Sequence, residues 1–140
     1  MNKPDFSEYS LALYEGNCLI FSSRGRGLRP LIESLEKFNT KSGLILHDKV
    51  IGFAAAKFIV YSGIIKEVVT GVASIPAKKY LEEKGIIIRA LNVTANIMTG
   101  NKSAICPGEV IALNTENIDD FISKIKTMFN DQVNLDRIRS

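Results

Sequence analysis

Two short apolar-rich runs, Tyr9 to Tyr14 and Cys18 to Ser22, flank Glu15-Gly16-Asn17. The Gly-Asn pair suits a tight turn, so the pattern predicts a β-hairpin. Beyond it, Leu31, Ile32, Leu35 and Phe38 recur at helical spacing and predict a helix over 29–38. Asn39 to Gly43 reads as a break, and Leu44-Ile45-Leu46 as a short extended piece. From Lys49 to Tyr61 the chain is apolar nearly all round, which predicts a central, buried helix. Asp48 is the N-cap residue type for it, and Ser62-Gly63 is its stop.

The next run, Glu67 to Ala73, is β-branched and reads as an inner strand. Ser74-Ile75-Pro76 opens a helix that continues through Glu83 and closes at Lys84-Gly85, before a second strand over 86–91. Together these form a βαβ unit with parallel strands. Asn92 to Ala104 reads as irregular, and an apolar helix starts near Pro107. An amphipathic helix then runs from about Asn117 to Phe129, followed by a polar tail over 130–140. This order predicts an α/β protein, a three-layer sandwich in which a mixed sheet is flanked by helices on both faces. One domain spans 1–140, with its ordered core at about 8–129.

Composition narrows the class without naming a function. A chain of 140 residues with 46% apolar content can bury a single core. The net charge of +3 is scattered, so nucleic-acid binding is not demanded. Cys18 and Cys106 stand far apart, which implies neither a disulfide framework nor a cysteine zinc site. The N-terminal residues lack the apolar core of a signal peptide, and no apolar run reaches membrane-spanning length. A cytoplasmic protein away from membranes is expected, with self-association left open.

The candidate chemistry sits in three places. In Cys106-Pro107-Gly108-Glu109 a thiol and a carboxylate lie one turn apart where a helix begins, and the unpaired amides there favour the thiolate. The plainer reading is a buried cysteine and a capping glutamate. Arg24-Gly25-Arg26-Gly27 precedes a helix with Pro30 in its first turn; glycine lets amides approach a phosphate and arginine grips two oxygens, although the loop also serves as a solvated connection. Asp48 and Lys49 at the start of the central helix, with Ser74 at the end of the inner strand, complete the set. Asp48 reads equally as a cap, and a lysine in a first helical turn opposes the helix dipole unless an anion or carboxylate pairs with it.

The blocks Ser23-Arg24-Gly25-Arg26-Gly27-Leu28-Arg29-Pro30-Leu31, Asp48 to Ala56 and Cys106-Pro107-Gly108-Glu109 resemble, in order and spacing, a small family of uncharacterised prokaryotic proteins with a cytidine-deaminase-like fold. Gly108 departs from that family's usual Cys-Pro-Met-Glu block, while Cys106 and Glu109 match it. The resemblance implies a deaminase scaffold, whose chemistry needs a zinc ligand and a proton-shuttling glutamate at the central helix and two cysteines after the next strand. Here Lys49 follows His47-Asp48 at the first place, and Ala77 and Tyr80 replace the cysteines at the second. No metal or other cofactor is therefore expected, and His47 reads as a partly buried or surface histidine. The chain is expected to bind a small anionic or nucleotide-like ligand near Asp48, Lys49 and Cys106, with Arg24, Arg26, Gly27 and Ser74 lining the site. One alternative is an enzyme that uses Cys106 as nucleophile or redox thiol, with Glu109, Asp48 and Lys49 assisting. The other is a protein-interaction domain with no small-molecule site.

Overall fold

The computed structural model describes residues 4–97 and 107–139. β1 (Leu11–Glu15) and β2 (Cys18–Ser23) form the expected antiparallel hairpin, turning at Gly16 with φ +60°. α1 (Arg29–Lys37) follows with Pro30 in its first turn. Then come β3 (Leu44–Ile51), α2 (Phe53–Ser62), β4 (Ile65–Ser74), α3 (Ile75–Glu83) and β5 (Ile87–Thr94). α4 (Pro107–Asn114) and α5 (Ile118–Arg139) complete the chain. The five strands make one mixed sheet in the order β2-β1-β3-β4-β5, with β1 antiparallel to both neighbours and β3, β4 and β5 parallel.

Strand alternation places Leu13, Leu46, Val68 and Ile88 in one row across the sheet, facing the helices. Leu13, Leu46 and Val68 are fully buried, and each such side chain stabilises the fold by about 1.5–3 kcal/mol. α2 lies over this row. Its residues 54–59 are all buried, as an all-round apolar helix requires, and Gly63 ends it in the left-handed conformation.

Three expectations are corrected. Asp48 is not the cap of a long helix over 49–61: residues 44–51 are strand, and α2 starts only after Gly52. Pairing with β1 as far as Asp48 and with β4 as far as Ile51 holds this stretch in the sheet, and Val50-Ile51 are β-branched, so sheet pairing overrides the local capping signal. The polar tail is not a tail, because α5 continues to Arg139. The sheet is also not the middle layer. Both βαβ crossovers run in the same direction along the sheet, which puts α2 and α3 on one face. α1 packs beside α2 there, and α4 and α5 pack on α2 instead of on the far side. Among the described residues the other face of the sheet carries no helix.

Candidate functional site

Three chain-distant stretches meet at the end of the sheet where β2, β3 and β4 finish. They are the loop after β2, the β3-α2 junction and the first turn of α4. Gly108 lies so close to Leu28 that a Cβ at residue 108 would stand 3.3 Å from its side chain, with Ala54 3.9 Å away. Glu109 crosses to the start of α2, where Oε2 accepts from the Phe53 amide at 2.7 Å and Oε1 from the Ala54 amide at 2.8 Å. Gly52, the residue before α2, has no side chain to cap with, and a Cβ there would overlap the Glu109 carboxyl. A buried carboxylate thus occupies the helix end whose dipole favours negative charge. Burial raises the Glu109 pKa, and the Ala54 and Phe53 amides oppose the rise.

The tie is reciprocal. Lys57, one turn into α2, is buried and donates to the carbonyls of Ala112 at 2.8 Å and Thr115 at 2.5 Å, at the far end of α4. Its ammonium also lies 4.7 Å from the Phe53 ring centre and 5.1 Å from that of Phe121. Burial lowers the Lys57 pKa, with Glu116 acting in the opposite sense.

Asp48 sits in the same cross-strand row as buried Leu11 and Thr70, so its carboxyl turns toward the packed side although the residue is only half-buried. Burial pushes its pKa up to about 8, against the influence of the Val50 and Lys49 amides. Asp48 is therefore largely uncharged at neutral pH. Lys49 is exposed in β3, not in a helical turn. Ser74 is fully buried and caps α3, its hydroxyl accepting from the Ala77 amide at 3.2 Å.

In the loop after β2, Arg24 is tied down: its Nε donates to the Glu8 carbonyl at 2.9 Å and its guanidinium lies 3.6 Å from the Glu8 carboxylate. Gly27 has φ +75°, a conformation that favours glycine, and Arg26 is exposed. Neither the Arg26 side chain nor that of Lys49 makes a hydrogen bond or ion pair among the described residues, although the Lys49 amide donates to the Ser10 carbonyl at 2.9 Å. Cys106 lies outside the described residues, next in sequence to the Pro107 that begins α4. Among the described residues no group of three or more His, Cys, Asp or Glu side chains could hold a metal ion.

His47 is where sequence reasoning missed most. It is buried in β3 on the uncovered face, away from the start of α2, with Nδ1 3.0 Å from the Tyr9 hydroxyl and its ring centre 4.7 Å from that of Tyr14. Burial lowers its pKa, while nearby Glu67 pulls the other way. Glu67 is buried too and accepts from Arg89 Nε at 2.7 Å. No motif links these residues. Only the strand register brings them together.

The fold and site define a small mixed-sheet α/β protein whose strand ends are closed by a carboxylate from a late helix. No helix among the described residues is long and apolar enough to cross a membrane. Residues 2–129 match the model of a domain of unknown function, DUF1893, and the chain belongs to that family. The crystal structure of a DUF1893 family protein, TM1506 from Thermotoga maritima, superposes with a TM-score of 0.79 at 25% identity, covering 88% of this chain and 82% of that one. No curated protein matches the sequence.

Proposed function

We propose that this DUF1893 protein is a zinc-free, deaminase-like binding module that takes a small anionic or nucleotide-like ligand at the strand-end site. One observation carries the reading: all three sequence blocks singled out above converge there, with Leu28 against Gly108 and Glu109 on the amides of α2. The electrostatics agree. Arg26 in the loop and Lys49 at the end of β3, which by strand alternation leaves the sheet on the face opposite to Asp48, carry positive charge without side-chain partners among the described residues, and burial pushes the Asp48 pKa up to about 8. Because Glu109 already fills the α2 terminus and Ser74 that of α3, the ligand is held by side-chain cations and the loop at Gly27, not by bare helix ends. Glu109 acts as an organiser. An enzyme with Cys106 as nucleophile and Glu109 as acid-base would first have to free oxygens that are both engaged.

A thermal-shift series with inorganic phosphate, pyrophosphate and a nucleoside monophosphate tests the reading. At least one is expected to raise the melting temperature, and the shift should shrink in Lys49→Ala and Arg26→Ala. No response to all three would reject it.

The interaction-domain reading draws on a different observation. On edge strand β5, Leu91 is 80% exposed, Ile87 56% and Val93 47%. Unpaired edges with apolar side chains favour pairing with another chain. A second copy of this chain is the simplest partner, and a solution mass that stays monomeric at high concentration would exclude it.

A further inference from the structure

The uncovered face of the sheet holds a cleft of about 260 Å³ lined by Tyr14, Gly16, Asn17, Ile45, His47, Lys66 and Glu67. We propose that this cleft is a second binding site, independent of the strand ends, for a small carboxylate that carries its own hydrogen-bond donor, of the size of a 2-hydroxy or 2-amino acid.

The starting point is a pair of buried polar side chains. On this helix-free face His47 is buried against the Tyr9 and Tyr14 rings and Glu67 is buried beside it, and buried polar groups cost free energy unless they are bonded. Each is only half satisfied by the protein. Glu67 is held by Arg89 through Oε1, and His47 by Tyr9 through Nδ1. Among the described residues neither His47 Nε2 nor Glu67 Oε2 has a hydrogen-bond partner. No fully buried side-chain nitrogen or oxygen lacks a partner, so both of these atoms must be open to the outside. Both residues line the cleft, which is the opening available to them.

The Tyr9 hydroxyl accepts the Asp5 amide at 3.2 Å and lies 3.0 Å from His47 Nδ1, and we assign its own proton to the bond with that nitrogen. The neutral ring, kept so by burial, then carries its proton on Nε2 and offers a donor to the cleft. Glu67 Oε2 offers an acceptor. Lys66 is exposed at the rim with no partner among the described residues, whereas the charge of Glu67 is matched by Arg89. Lys66 is thus the one charge of the lining that no protein group matches among the described residues, and the Tyr14 hydroxyl and the Asn17 amide add further polar groups.

This pattern fits a carboxylate held by Lys66 and His47 Nε2, with a neighbouring hydroxyl or amine donating to Glu67. The volume lies just below the usual range for drug-sized ligands, about 300–1,000 Å³, which leaves room for a small metabolite and not for a nucleotide.

His47 is the only histidine in the chain, so its imidazole NMR signals are unambiguous reporters. Lactate and alanine are expected to shift them saturably, acetate more weakly because it lacks the donor, and ethanolamine not at all. Lys66→Ala should weaken lactate binding about tenfold, the scale of one charge-assisted hydrogen bond, while Lys79→Ala leaves it unchanged. No saturable shift with either lactate or alanine overturns the site. Ethanolamine binding as well as lactate overturns the carboxylate assignment, and acetate binding equally well overturns the role given to Glu67.

Discussion

Glu109 holds the amide of Ala54 at 2.8 Å across 55 positions of sequence, so the start of α2 is capped by a residue from a different helix. Gly52 leaves the space that this requires. Glu109→Ala is expected to cost about 1–3 kcal/mol, the usual penalty for leaving buried amides unpaired. Gly52→Ala should cost a comparable amount by displacing the carboxyl. Because both changes break the same contact, urea unfolding of the double variant should show much less than the sum of the two losses. Strict additivity would mean that the two positions act separately.

Lys57 provides the other half of the tie. Lys57→Met keeps the length of the side chain but leaves the carbonyls of Ala112 and Thr115 without their donor. A loss of about 1–3 kcal/mol is expected. Hydrogen exchange should accelerate in α4 more than in β3 or β4. Uniform acceleration over the whole chain would place the role of Lys57 elsewhere.

Asp48 makes stability depend on pH in a direction opposite to that of a salt-bridged carboxylate. Its pKa rises from 3.8 to about 8 on folding, so between these values the folded chain binds more protons than the unfolded one. Its favourable contribution is complete below the unfolded value and is lost as pH climbs through the folded one. The slope from this group is at most about 1.4 kcal/mol per pH unit. Asp48→Asn should flatten the decline between weakly acidic and weakly alkaline pH and be the more stable form at the alkaline end. Parallel stability curves for the two proteins would contradict the shift.

The bond between Tyr9 and His47 can be removed by one atom. Tyr9→Phe is expected to cost about 1 kcal/mol and to leave Nδ1 without its partner. The nitrogen-15 shifts of the single imidazole should then move away from a fixed protonated Nε2 toward a mixture of tautomers. Unchanged nitrogen shifts would show that another group sets the proton.

Much of the fold was legible because its signals are local. The Gly16-Asn17 turn, the spacing of α1 and the Ser74 cap of α3 each lie within a few residues of the structure they direct. β3 was misread where two local signals conflicted: Asp48 is a good cap, and an apolar run follows it. What decided the matter was pairing with β1 and β4 from both sides, which no local window contains. The same limit applies to the sites. Glu109 could be singled out beside Cys106, but its partners at Phe53 and Ala54 could not. His47, Tyr9 and Glu67 carry no motif spacing at all, and a polar residue in an apolar strand was the one available hint.

The reciprocal tie between α2 and α4 has a consequence for how the protein comes into being. The five strands among the described residues have been made once the ribosome passes Thr94, yet the helix at the centre of the molecule still has open amides at Phe53 and Ala54 and an unsatisfied ammonium at Lys57. Its last partners arrive with residues 109–115. The nascent sheet therefore carries an incomplete core until late in synthesis, and a chain cut before α4 would be a poor folding unit despite having β1 to β5.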